Sequence, residues 1–212
     1  MREVNETRKV FRFNELGNRA QLKVVSRHTE LIKETLDFHK VLREHYRTFE
    51  NDYAFEDVTI NFSKNDLEKG LNFNFSANYT FEYEESLINF FHAIKFPYDS
   101  YPDFLNHFQA QNVDLEIYTC RSPMGFDNIE NEFTQFEISI GDHGGVWDEE
   151  DAKEFREELR TYIQEWYISL CNVIHNQVGM FIHEKTHFVN VRGQVIHLAR
   201  EFYEDGSIYI PK

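Results

Sequence analysis

A chain of 212 residues, 41% hydrophobic and 16% aromatic, has enough apolar surface to bury a core of its own. Its 37 acidic against 22 basic side chains leave a net charge of −15, which repels nucleic-acid phosphate and anionic membrane and attracts basic protein surfaces or cations. Twenty-one Phe and 11 Tyr against nine Gly and four Pro exclude a linker-rich or repetitive chain.

In chain order, the opening MREVNETRKVFRFNEL is charged and carries no apolar leader, and no uncharged apolar run of about 18 residues follows, so a cytoplasmic protein is expected. Asn14 is placed to cap a short helix from Glu15 to about Val25, with Leu16, Ala20 and Val24 at four-residue steps. Leu31, Ile32, Leu36, Leu42 and Tyr46 predict a second helix from Thr29 to near Phe49. Phe55 to Phe62 reads as a strand, and Lys64-Asn65-Asp66 with Gly70 as a turn. From Leu71 to Tyr83 apolar and polar residues alternate strictly, predicting an antiparallel strand with Leu71, Phe73, Phe75, Ala77, Tyr79, Phe81 and Tyr83 buried and Asn72, Asn74, Ser76, Asn78 and Thr80 facing away.

Glu84 to Lys95 returns to helix before Pro97, and Pro102 to Gln111 suggests another. Val113 to Cys120 and Phe133 to Ile140 are expected to pair as a hairpin across a loop holding Pro123 and Gly125. Asp148 then caps a long amphipathic helix with Phe155, Leu159, Ile163, Trp166, Leu170, Ile174 and Phe181 on one stripe. Gln194 to Phe202 is expected as a short helix, Glu204-Asp205-Gly206 as a turn and Ser207 to Ile210 as a final strand. Cys120 and Cys171, 51 positions apart with no C-x-x-C pairing, suit two reduced core thiols. The expected architecture is one α+β domain over residues 1–212, an antiparallel sheet of about four to five strands against helices with a long C-terminal amphipathic helix.

His183-Glu184-Lys185-Thr186-His187 spells H-E-x-x-H, which on a helix sets two imidazoles on one zinc with the Glu as general base. At about 100° per residue from Phe181, His183 falls near 200° and His187 near 240°, away from the apolar stripe. The sixth residue after His187, where a third His could complete the site, is Gly193, leaving Glu201 or Glu204 as remaining ligands. Gly141-Asp142-His143-Gly144-Gly145 is read as a strand-to-helix turn. No phosphate-cradling glycine motif or nucleophile elbow is present.

The acid is concentrated: residues 50–126 carry −9 and residues 127–158 carry −10, against +4 for 1–49 and zero for 159–212. Asp148, Glu149, Glu150, Asp151, Glu154, Glu157 and Glu158, with Asp142 just before, load the start of the long helix, where the helix dipole favours carboxylates. These eight are the candidate partner-binding residues.

Val10-Phe11-Arg12-Phe13-Asn14-Glu15-Leu16 followed by Ala20, together with Phe202-Tyr203-Glu204-Asp205-Gly206-Ser207-Ile208-Tyr209, resembles a group of acidic bacteriophage and prophage accessory proteins of unassigned role. The resemblance implies a phage-borne protein acting in the cytoplasm of a bacterial host and brings no catalytic residues with it. By analogy with other small acidic phage proteins, it also implies an inhibitor of host defence of the anti-CRISPR or anti-restriction type. The expected function is therefore non-enzymatic, without metal or cofactor. The expected partner is a basic, nucleic-acid-binding surface of a host protein, with no direct contact to nucleic acid or membrane. The competing expectation is a zinc-dependent hydrolase using His183, Glu184 and His187.

Overall fold

The alternation that predicts a strand from Leu71 to Tyr83 holds as far as Tyr79 and then gives way to a tight helical turn, Phe81–Tyr83, whose Phe81 and Tyr83 side chains are exposed. The computed structural model describes residues 9–61, 71–120 and 135–210. The expected turn at Lys64–Gly70, the strand ends at Phe62 and Phe133, the loop with Pro123 and Gly125, and the thiol of Cys120 lie outside the described residues. The chain gathers into two compact units, one formed by His39–Gln177 and one by Met1–Phe38 with Val178–Lys212.

In the larger unit four strands, β2 (Phe55–Asn61), β3 (Asn72–Tyr79), β4 (Val113–Cys120) and β5 (Gln135–Asp142), form an antiparallel sheet in chain order. The expected hairpin is the β4–β5 pair, in register from Val113 opposite Asp142 to Cys120 opposite Gln135. β2 carries a bulge between Glu56 and Thr59, with Asp57 at φ 51°. Phe55 and Ile60 are an odd number of residues apart, and the extra residue lets both face the core.

The apolar face of this sheet receives α3 (Glu84–Ile94), α4 (Pro102–Gln109) and the first part of α5 (Glu149–Thr186). Phe55 stacks on Phe75 at 4.0 Å between ring centroids, Phe90 meets Phe55 edge-on at 5.0 Å, and Phe104 stacks on Phe155 at 4.3 Å. Each such ring contributes roughly 1.5–3 kcal/mol by leaving water, with edge and offset contacts adding to that. Phe155, Leu159, Ile163 and Ile174 of α5 are buried as their spacing predicts, with Tyr167 in the stripe and Trp166 beside it only half-buried. The other face of the sheet presents Asn78, Glu116, Tyr118 and Glu137 to solvent.

The smaller unit pairs two short strands far apart in sequence, β1 (Phe11–Arg12) and β6 (Glu201–Phe202). Between them lie a helical turn, Phe13–Glu15, then α1 (Asn18–Thr35), and later the end of α5 and α6 (Phe188–His197). The two expected N-terminal helices are divided differently from the sequence reading. Gly17, not Asn14, precedes α1, because Glu15 is held by the Arg12 amide at 2.7 Å. The helix continues through Ser26 to Thr35, Thr29 donating back to the Val25 carbonyl at 2.9 Å, and the helical backbone is interrupted only at Leu36–Phe38 before α2 (His39–Arg47).

Near the C-terminus the expected helix Gln194–Phe202 is corrected: α6 ends at His197, Ala199 takes φ 48°, and Glu201–Phe202 is extended against β1. The expected strand Ser207–Ile210 is reduced to a bridge from Ile208 to Phe202 and a hydrogen bond from the Tyr209 amide to the Glu201 carbonyl, 2.9 Å. The core of this unit is Phe13, Leu16, Val24, Val25, Val191, Val195 and Phe202. The first and last elements of the chain thus meet, Phe11–Arg12 pairing with Glu201–Phe202 and Phe13, Leu16 and Phe202 sharing one core.

Candidate interaction surface

Asp148 caps α5 as its position predicts: its Oδ1 accepts the amides of Glu150 at 2.8 Å and Asp151 at 3.4 Å. Trp147, one residue earlier, packs on Phe104 and Phe155, each at 5.4 Å between centroids, and so anchors the helix start to the core. The glycine-rich loop before it is consumed by internal hydrogen bonds. Asp142 accepts the amides of Gly144 at 3.2 Å, Val146 at 3.1 Å and Trp147 at 3.2 Å, and the Val146 and Gly144 bonds hold its carboxyl below the ordinary carboxylate range. Asp114 accepts the Gly141 amide at 2.9 Å and meets His143 Nε2 at 3.1 Å. A Cβ on Gly141 would overlap the Asp114 carboxylate, so a larger residue there would displace the side chain that accepts the Gly141 amide.

Of the eight expected partner-binding residues, three therefore have internal work. Asp142 closes a turn, Asp148 caps a helix, and Glu158 accepts a short hydrogen bond from the Tyr101 hydroxyl. Glu149, Glu150, Asp151, Glu154 and Glu157 are exposed and enter no ion pair among the described residues. With Phe155 at zero and about 100° per residue, Glu150, Glu154 and Glu157 share a wedge from about 200° to 260°, while Lys153, Arg156 and Arg160 share one from about 100° to 160°. The helix thus has an acidic flank and a basic flank, and Glu149, near 120°, belongs with the bases. Arg160 turns inward, its Nε donating to the Phe136 carbonyl at 3.2 Å.

Two exposed acids that the sequence reading missed, Asp99 and Asp103, stand on either side of Tyr101. Tyr101 itself touches Glu158 and senses the charge of Glu154, which ties this segment to α5. No spacing in the sequence connects residues 99–103 to residues 154–158; the link exists only through packing. Charge follows the same division: residues 39–177 hold ten Lys and Arg against 27 Asp and Glu, a net −17, and the remaining residues net +2.

The H-E-x-x-H stretch is not carried on one helix. α5 ends at Thr186, and His187 is extended at φ −58°, ψ 133°, before α6 begins at Phe188. His183, Glu184 and His187 are all exposed, the two imidazole rings lie 5.7 Å apart between centroids, and Lys185 Nζ sits 3.5 Å from Glu184 Oε1. No set of three His, Cys, Asp or Glu side chains spaced to hold a metal occurs among the described residues.

No helix among the described residues is long and apolar enough to cross a membrane. Comparison with known proteins found no family model, no curated protein and no solved structure that matches this chain.

Proposed function

We propose that this chain is a phage-encoded, non-enzymatic interaction protein that docks its acidic α5 flank on a basic, nucleic-acid-binding surface of a host defence effector, and so inhibits it. The observation that carries this reading is the row Glu150, Glu154 and Glu157, exposed, unpaired among the described residues and borne by a unit of net charge −17. At about 1.5 Å rise per residue these three carboxylates span roughly 10 Å, one charge per about 5 Å, the same order as the one phosphate per about 3.4 Å of a single nucleic-acid strand. A surface that grips phosphates through Lys and Arg would accept such a row by the same electrostatics, with fast association at low salt. The resemblance of residues 10–20 and 202–209 to phage accessory proteins supports the host cytoplasm as the setting and defence evasion as the purpose.

The test is capture of host proteins on the immobilised chain, with Glu150→Lys/Glu154→Lys/Glu157→Lys as the paired bait. Asp148 is left intact because it caps the helix. The expected result is a partner that is released by raised salt, displaced by double-stranded DNA and lost with the triple variant. Capture that survives the charge reversal would refute the reading.

A further inference from the structure

We propose that the smaller unit holds a binding site for a small amphiphilic anion, in which an apolar cavity takes the body of the ligand and Arg27 and Arg200 take its carboxylate or other acidic head. The cavity is about 210 Å³ and lies between α1, α6, β6 and the turn that follows it. Its floor is Val24, Val195 and Phe202, all buried in the unit's core. Its mouth is formed by Leu31, Leu198 and Ile208, which remain 46%, 45% and 48% exposed. Large aliphatic side chains left half in water around a concave apolar floor mark a surface that gains by being covered.

The polar groups are what select the occupant. Arg27, Arg200 and His28 line the cavity, and no Asp or Glu among the described residues does. Neither guanidinium forms an ion pair among the described residues. His28 is lowered from its ordinary value by burial and then by the nearby charge of Arg200, so the imidazole is disposed to stay neutral while the guanidiniums cannot. Two unneutralised cations over an apolar floor match a ligand with one negative head and a hydrocarbon body, and reject a cationic one by like-charge repulsion. A cavity of this size suits a medium-chain or aryl carboxylate rather than a full lipid.

The shape of the cavity depends on the close seating of the turn. Gly206 has φ 81°, and a Cβ there would stand 2.9 Å from the Ala20 carbonyl oxygen on α1. Asp205 fixes the same turn through Ser207, and Lys23 of α1 reaches both the Asp205 carbonyl at 3.2 Å and its carboxylate at 3.6 Å. The wall carrying Ile208 is therefore pinned to the helix carrying Arg27, and the site is preformed rather than assembled by the ligand.

The site is independent of the acidic α5 flank, and its test is separate. Octanoate, octylammonium and 1-octanol are titrated into the full chain and followed by amide NMR shifts. Octanoate is expected to shift Arg27, Leu31, Leu198 and Ile208 saturably, with octylammonium and octanol weaker by about tenfold or more. Arg27→Gln/Arg200→Gln is expected to weaken octanoate by a similar factor. Leu31→Trp, a substitution at an exposed position that fills the mouth, is expected to abolish binding while leaving the circular dichroism unchanged. The proposal fails if octanoate produces no saturable shift, if octylammonium binds equally well, or if the double Arg variant retains full affinity. It fails equally if the chain self-associates through this mouth, seen as a dimer in sedimentation that Leu31→Trp dissociates.

Discussion

The hydroxyl of Tyr101 donates a short hydrogen bond to the carboxylate of Glu158, joining the start of α4 to the third turn of α5. Burial, then this hydrogen bond and the charge of Glu158, push the phenol well above its ordinary value. In a spectrophotometric titration Tyr101 is expected to stay un-ionised at about pH 10, where exposed tyrosines titrate. Tyr101→Phe should cost roughly 1 kcal/mol in urea unfolding and leave Glu158 exposed. A titration in which every tyrosine behaves as exposed would contradict the contact.

Two other tyrosines hold backbone groups inside the larger unit. The Tyr167 hydroxyl accepts the buried Phe73 amide at 3.1 Å, and the Tyr79 hydroxyl donates to the Tyr53 carbonyl at 2.5 Å. Removing either oxygen leaves a backbone group without that partner, so Tyr167→Phe and Tyr79→Phe should each lose about 1–3 kcal/mol by chemical denaturation, although both keep the ring. A loss below about 0.5 kcal/mol in both would show that water replaces the hydroxyls.

Cys171 lies half-buried on α5, and burial pushes its thiol up to about 11, against the smaller opposing pull of hydrogen bonds from Tyr167 and the Phe73 amide. Thiolate is the reactive species, so a Cys120→Ser chain should react slowly with iodoacetamide at neutral pH and fast once unfolded. The folded value is the higher one, so the folded state keeps its proton longer. This contribution to stability is intact below the thiol's ordinary 9.0 and is lost as pH rises toward about 11. Equal labelling rates for folded and unfolded protein would count against this account.

Asp205 is held down to about 2, first by the Ser207 hydroxyl and then by the Ser207 amide, with Lys23 assisting. A carboxyl carbon titration should place it there, and Ser207→Ala should move it up toward 3.8. Because the folded value is the depressed one, its contribution to stability is present above 3.8 and disappears as pH falls toward 2.

In the same turn, Gly206→Ala meets both a positive φ of 81° and a backbone oxygen at 2.9 Å. It should cost about 2 kcal/mol or more, and a neutral effect would mean that the turn shifts away from α1.

Local periodicity carried much of the fold because α5, β3 and β4 each bury one regular face, and a regular face is written into the spacing of apolar residues. It failed where a boundary depends on distant chain. Glu201–Phe202 is too short to carry a period of its own, and becomes a strand because Phe11–Arg12 is there to pair with it. Phe81 and Tyr83 continue the alternation of β3, yet they leave the sheet.

The candidate surface divides along the same line. Sequence alone determined the α+β class, the excess of acid, the Asp148 cap and the amphipathic stripe of α5, because each depends on residue type and near-neighbour spacing. Only the tertiary structure decided which carboxylates remain available: Glu158 was withdrawn by Tyr101, and Asp142 by its own loop amides. It also decided that His187 breaks from the helix of His183, and that Arg27 and Arg200, 173 positions apart, share one cavity. Hydrogen bonds and charge act over a few ångströms of space, a distance that sequence separation does not encode.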